Sequence, residues 1–178
     1  MKILVINGSP KGEYSITLQT VRYLEQQFPG QQFEVLHAGQ RIRALEKDFS
    51  PALEAIKRAE LLIFSYPVYT FIAPSQLHKF IELMKRHGAN VAGKVATQIS
   101  TSKHFYDVTA HRYIQDNCQD MGIEVLPPCI YGSEKKFSVQ DGKIRFGLLG
   151  VKNVGKGAID AIIKARNEKG RPKDIFQF

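Results

Sequence analysis

The sequence predicts an α/β fold: a doubly wound parallel sheet of five strands, carried by a single domain over residues 1–178. Three observations predict it. Short β-rich apolar runs alternate five times with segments of helical apolar spacing. One of those runs, Leu61–Ser65, is apolar almost throughout, as in a central strand covered on both faces. The connections between the segments are short, as in repeated βα units.

The elements follow in order. Lys2–Asn7 is the first strand and stops at Gly8. Val21, Leu24 and Phe28 keep helical spacing from Ser15 to Phe28, and Pro29-Gly30 ends that helix. Phe33–Leu36 is a short second strand. Ser50-Pro51 opens a helix, with Ser50 as cap and Pro51 at the first helical position. Leu61–Ser65 is the third strand. Pro74 opens a helix with Leu77, Phe80, Ile81 and Met84 on one face. Val95–Ser100 is the fourth strand. Ile114, Cys118 and Met121 mark the next helix, Ile123–Leu126 the fifth strand, and Ile159, Ile162 and Ile163 the last helix. Between the fifth strand and the last helix, Gly132–Gly150 breaks the rhythm. Its two β-rich runs flank Asp141-Gly142, which predicts a small hairpin insertion.

Composition narrows the class. Of 178 residues, 43% are hydrophobic and 24% charged, which suits a globular protein with a full core. No run approaches a membrane span and the N-terminus lacks a signal-peptide pattern, so a cytoplasmic protein with no membrane insertion is expected. Cys118 and Cys129 form neither a CxxC nor a ligand cluster, so no metal is expected. The net charge is +8. Its Lys and Arg are spread along the chain rather than gathered in an arm, so nucleic acid is not expected as a partner. The excess reads either as a field favouring phosphate-bearing cofactors or as a solvated basic surface.

The most informative stretch is Asn7-Gly8-Ser9-Pro10-Lys11-Gly12-Glu13-Tyr14-Ser15-Ile16-Thr17, between the first strand and the first helix. In an open α/β sheet the ligand crevice lies at the carboxyl ends of the strands. A phosphate there needs amide and hydroxyl donors at a helix N-terminus. Ser9, Ser15 and Thr17 supply hydroxyls, Gly8 and Gly12 allow close approach, and Lys11 adds charge. The loop has neither G-x-G-x-x-G nor G-x-x-x-x-G-K-[ST], so a single terminal phosphate suits it better than a pyrophosphate. Taken alone, it equally suits a polar βα turn with Ser15 as helix cap. Later, Gly150–Gly157 nearly spells a nucleotide P-loop, but Gly157 replaces the Mg²⁺-binding hydroxyl. It reads as a glycine-rich entry to the last helix.

Two more loops border the same crevice: Ser65–Pro74 after the third strand and Ser100–Asp107 after the fourth. Each sets aromatics beside hydroxyls, the mixture a flat heterocycle with a polar rim requires. Three such loops at one sheet end favour ligand binding over simple coverage.

These residues are similar to those of the NADPH-dependent FMN reductase and iron–sulfur flavoprotein branch of the flavodoxin-like superfamily. The matching motifs are Asn7-Gly8-Ser9-Pro10-Lys11 with Ser15 and Thr17, then Pro67-Val68-Tyr69 followed by Pro74, Leu77 and Phe80. The resemblance spans roughly the first 130 residues, the five βα units. It implies strand order 2-1-3-4-5 and an FMN cofactor. By resemblance Ser9, Lys11, Ser15, Ile16 and Thr17 hold the phosphate. Pro67, Val68, Tyr69 and Thr70 pass beside the ribityl chain and ring, and Thr101, Ser102, His104, Phe105 and Tyr106 close the other side. It further implies NAD(P)H as transient donor, a small-molecule electron acceptor such as a flavin or quinone, and a homodimer. Leu36–Ser50 contains no cysteine, which excludes the iron–sulfur cluster of some members. The fourth-strand loop lacks the glycine pair common in related quinone reductases.

Hydride transfer to a flavin needs positioning more than acid–base chemistry, so no catalytic acid or base is assigned. His104 and His111 are candidates to protonate a quinone-like acceptor, with His111 read as a surface or capping residue and Asp107 as a helix cap. Two other classes stand beside the reductase. One is an FMN electron-transfer protein reduced by a partner, though such carriers are usually acidic. The other is a non-enzymatic α/β binding module, although a receiver-like domain would need acidic residues where Asn7-Gly8 stands.

Overall fold

The computed structural model describes residues 1–103, 107–125, 133–135, 138–140, 143–145, 148 and 155–170. The chain divides into two compact units, Met1–Val125 and Leu126–Phe178.

The first unit runs β1 (Lys2–Asn7), α1 (Ile16–Gln27), β2 (Gln32–Leu36), α2 (Ala38–Lys47), α3 (Ser50–Arg58), β3 (Leu61–Pro67), α4 (Ser75–Arg86), β4 (Val95–Thr101), α5 (Val108–Asp120) and β5 (Glu124–Val125). Every strand pair is parallel, and the spatial order is β2-β1-β3-β4-β5. Four strands are full length and run 2-1-3-4. Of the fifth, expected over Ile123–Leu126, the described residues Glu124 and Val125 pair with Val95 and Ala96, and Leu126 lies outside the described residues. Ile123 does not join the ladder because its N–H caps α5, donating to the Cys118 carbonyl at 2.9 Å.

Alternation along the strands sends successive residues to opposite faces. Leu4, Ile6, Leu62, Phe64, Tyr66 and Ala96 share one buried core with α2, α3, α4 and α5. Ile3, Val5, Leu61 and Ile63 point the other way, toward the side where α1 packs its buried Leu18, Val21 and Leu24. Helix α2 is absent from the sequence reading, which skips from the second strand to Ser50. Its Ala38, Ile42 and Leu45, continued by Phe49, repeat at helical spacing, and Phe49 packs on Phe80 of α4 with ring centres 5.4 Å apart. Helix α3 is capped by Phe49 rather than Ser50. The Ser50 N–H lies in the first turn and donates to Asp48 Oδ1 at 3.0 Å.

The second unit holds the expected hairpin, β6 (Ser138–Gln140) antiparallel to β7 (Lys143–Arg145) with Val139 opposite Ile144, and α6 (Lys156–Lys169). Asp141-Gly142 and the basic tail lie outside the described residues. Arg166 of α6 donates to the Ser133 carbonyl at 2.8 Å and to Glu134 at 2.9 Å. Lys135 pairs with Asp160. No described helix is long and apolar enough to cross a membrane.

Candidate functional site

Because the strands are parallel, their carboxyl ends share one edge. Asn7 stands opposite Ser65, Tyr66 opposite Ser100, and Pro67 opposite Thr101. The three loops singled out in the sequence therefore leave the sheet side by side.

The loop after β1 is tightly folded. Gly8 N–H donates to the Ser65 carbonyl at 2.8 Å, and a short 3-10 turn spans Gly12–Tyr14. The buried Asn7 side chain organises the loop. Its Oδ1 accepts Ser9 N–H at 3.1 Å, and its Nδ2 donates to the Gly12 carbonyl at 2.9 Å. Gly12 has φ 57, and a Cβ there would meet the Gln40 side chain at 2.6 Å. On α2, a Cβ at Gly39 would meet the Gly8 carbonyl oxygen at 2.4 Å, so loop and helix backbones touch. Sequence reasoning missed this brace. The signal was present in the 38-42-45-49 apolar spacing.

Each expected phosphate residue has a definite place. Ser9 Oγ accepts Lys11 N–H at 3.3 Å, leaving its own proton to donate elsewhere. Ser15 is the N-cap of α1 but makes no side-chain capping bond. The alternative role of Ser15 as a capping side chain is therefore not realised, and the first amides of α1, at Ile16 and Thr17, lack intrahelical acceptors. The Ile16 side chain is 76% exposed, so only its backbone can contribute. Lys11 is exposed. Thr17 Oγ1 lies 2.6 Å from Thr101 Oγ1, which joins the first loop to the end of β4. Glu13, the loop's one acid, points to His37 at 2.9 Å and Arg22 at 3.3 Å. Against desolvation, the hydrogen bonds from Arg22 and His37 hold its carboxyl below the ordinary value.

After β3, Val68 N–H reaches the Thr101 carbonyl at 2.8 Å. The chain then reverses: Tyr69 and Ile72 exchange backbone bonds at 3.0 and 3.2 Å around Thr70, whose φ is 62°. Tyr69, Phe71 and Ile72 are about half exposed, while Ala73 is buried. Ser102 is part-buried after β4. His104, Phe105 and Tyr106 lie outside the described residues.

The family model of NADPH-dependent FMN reductases matches residues 1–131. The chain belongs to that family. FMN is the cofactor this membership carries, with a reduced nicotinamide nucleotide as donor. As an FMN reductase-family protein the chain has solved structural likenesses. An apo NADH:FMN oxidoreductase superposes with TM-score 0.61 at 21% identity, over 99% of this chain and 92% of that one. The flavoenzyme NAD(P)H:(acceptor) oxidoreductase of Paracoccus denitrificans gives 0.60 at 18%, over 94% and 97%. At these identities they show the shared fold. Residues 122–178 match a different model, a helix-hairpin-helix motif. The chain is also 47% identical over 64 residues to DNA polymerase III subunit alpha of Vibrio cholerae, a stretch of 35% of this chain and 6% of that protein.

The donor set of this family member fits a flavin phosphate. It consists of two free helical amides, an uncapped Ser15 hydroxyl, a Ser9 proton and the Lys11 ammonium, with the local carboxylate engaged elsewhere. Below Thr101 lies a polar network. Tyr66 O–H donates to Gln98 Oε1 at 2.7 Å, His111 Nδ1 stands 3.2 Å from the same oxygen, and Ser100 Oγ is 3.0 Å from His111 Nε2. The ring of His111, read from the sequence as a surface or capping residue, is instead part-buried in this network. Desolvation, partly opposed by the Asp107 charge, pushes its pKa below the ordinary 6.5. Burial, with Asp107 and Cys118, raises the Tyr66 hydroxyl. Asp107 is the N-cap of α5 without a side-chain bond. Cys118 is buried and its thiol is pushed up to about 12, chiefly by desolvation, so it is unreactive.

Proposed function

We propose that this chain is an FMN-dependent oxidoreductase that passes electrons from NADH or NADPH to a flavin, quinone or similar small acceptor. The observation that carries the proposal is the uncapped, hydroxyl-bearing N-terminus of α1, held beside the ends of β3 and β4. FMN, when bound, supplies the hydride-accepting chemistry. Ser9, Lys11, Ser15 and the Ile16 and Thr17 amides bind its phosphate. Pro67–Thr70 and Thr101–Ser102, with His104, Phe105 and Tyr106, flank the ring. Tyr69, exposed at 45%, leaves one side open for nicotinamide and then acceptor in turn. That sharing demands parallel double-reciprocal lines.

The test is anaerobic mixing of the FMN-loaded protein with NADH or NADPH, which should bleach the flavin. Ser15→Ala should weaken FMN by about 1–1.5 kcal/mol, the worth of one charge-assisted bond. No bleaching with either nucleotide would favour the electron-carrier reading. A homodimer belongs to the same proposal, with the half-exposed Phe71 and Ile72 as its contact, and sedimentation reads it out.

A second reading concerns the other unit. The helix-hairpin-helix match over 122–178 and the polymerase likeness support contact with DNA, against the expectation of no nucleic acid. Gly155 caps α6, and a Cβ at Gly155 or Gly157 would meet nothing within 4 Å, so a phosphate backbone could approach. Fluorescence anisotropy with labelled duplex DNA should show binding that falls steeply with salt and is insensitive to sequence. Equal anisotropy of the labelled duplex with and without the protein at low salt would remove this reading.

A further inference from the structure

The Asn7 amide is oriented by its own neighbours. Its oxygen accepts Ser9 N–H, so its nitrogen is the group that donates to Gly12 and faces His37 Nδ1 at 3.2 Å. Turning the amide over would set oxygen against the Gly12 carbonyl and NH₂ against the Ser9 N–H, losing both loop bonds. An amide NH₂ only donates, so His37 Nδ1 must accept. The one ring proton is then on Nε2, 2.9 Å from Glu13 Oε1.

We propose that His37, as the neutral Nε2–H tautomer, is a positioning residue for the phosphate loop: it steadies Asn7 against Gly12, and its protonation releases that brace and weakens FMN binding. The inference rests on the reading that Ser9–Thr17 takes the FMN phosphate. His37 caps α2, and its side chain is 19% exposed, so the bond to Asn7 is largely shielded from water. The groups around the ring are few. Asn7 of β1 is neutral. Glu13 of the 3-10 turn carries the facing charge and is shared with Arg22 of α1. On α2, Gln40 is neutral and Arg41 is exposed. A proton on Nδ1 meets the Asn7 NH₂, and the brace is gone. Histidine is the side chain suited to making that change between about pH 5 and 8.

The experiment measures FMN affinity from pH 8 to pH 5 for the full chain and for His37→Asn, His37→Leu and Ser15→Ala. Asparagine puts an amide oxygen where Nδ1 stands and does not titrate. The FMN phosphate has its own second pKa of about 6, which affects every variant alike and cancels in their ratio. His37→Asn should match the parent at pH 8, and by pH 5 the parent should have weakened about tenfold more, one hydrogen bond's worth. His37→Leu should bind about tenfold more weakly at every pH. Nitrogen-15 spectra of the FMN-free protein at pH 8 should show Nε2 protonated and Nδ1 bare. Superimposable pH profiles for the parent and His37→Asn, or a proton on Nδ1 at pH 8, would overturn the role of His37. If Ser15→Ala leaves affinity unchanged, it is the phosphate placement that fails, while the spectra still report the tautomer.

Discussion

Thr70 is the one described non-glycine residue with a positive φ, at 62°. A β-branched side chain is disfavoured there, at a cost of about 1–3 kcal/mol. The two backbone bonds between Tyr69 and Ile72 make Thr70 the first central residue of a two-residue reversal, the position where type II′ turns take glycine. Thr70→Gly should therefore raise stability by about 1 kcal/mol, after the glycine's extra chain entropy is counted. That is the opposite sign from most substitutions to glycine, and a urea midpoint reads it. A lower midpoint would mean the turn is unstrained. Strain at a loop expected to pass the flavin ring fits a backbone fixed for a ligand rather than for its own comfort.

Between elements, the contrast is between the phosphate loop and its support. The loop was legible because hydroxyls, glycines and a strand-to-helix junction are local patterns. The support was not, since Asn7 meets His37 across 30 positions and spacing says nothing of such a meeting. Helix α2 was missed because Gly39 and the charged Arg41, Arg43, Glu46 and Lys47 dilute its apolar face. Gly39 looks like a helix breaker in the sequence, yet the approach of the Gly8 carbonyl requires it. The Tyr66–Gln98–His111–Ser100 network was likewise illegible, since it joins two strands and a helix through side chains. The strands themselves were readable to within a residue or two. The exception is the fifth, whose first expected residue turns out to close α5.

For the whole molecule, acid is the informative perturbation. Desolvation holds both His78 and His111 below the ordinary 6.5, although a hydrogen bond that the His78 ring donates to the Ala73 backbone and the Asp107 charge respectively oppose it. The unfolded chain then binds more protons just below that pH, so stability present above pH 6.5 is lost as pH falls through the depressed folded values. The lowered carboxyls of Glu13, Glu82 and Asp48 act further down, below their ordinary 4.5 and 3.8. The urea midpoint should accordingly fall between about pH 7.5 and 5. His111→Leu should flatten part of that slope. At neutral pH it should cost about 1 kcal/mol, because the part-buried Ser100 and Gln98 lose their partner. A midpoint independent of pH over that interval would contradict the desolvation of both rings. The Thr17–Thr101 hydroxyl pair has a consequence of another kind. It closes across 84 positions, whereas Asn7 finds His37 across 30. On a chain growing from its N-terminus, the braced loop can take shape while β4 is still to be synthesised. The Thr17–Thr101 link itself forms only once Thr101 has left the ribosome, which on the proposed placement of FMN sets the earliest moment at which the cofactor can be captured.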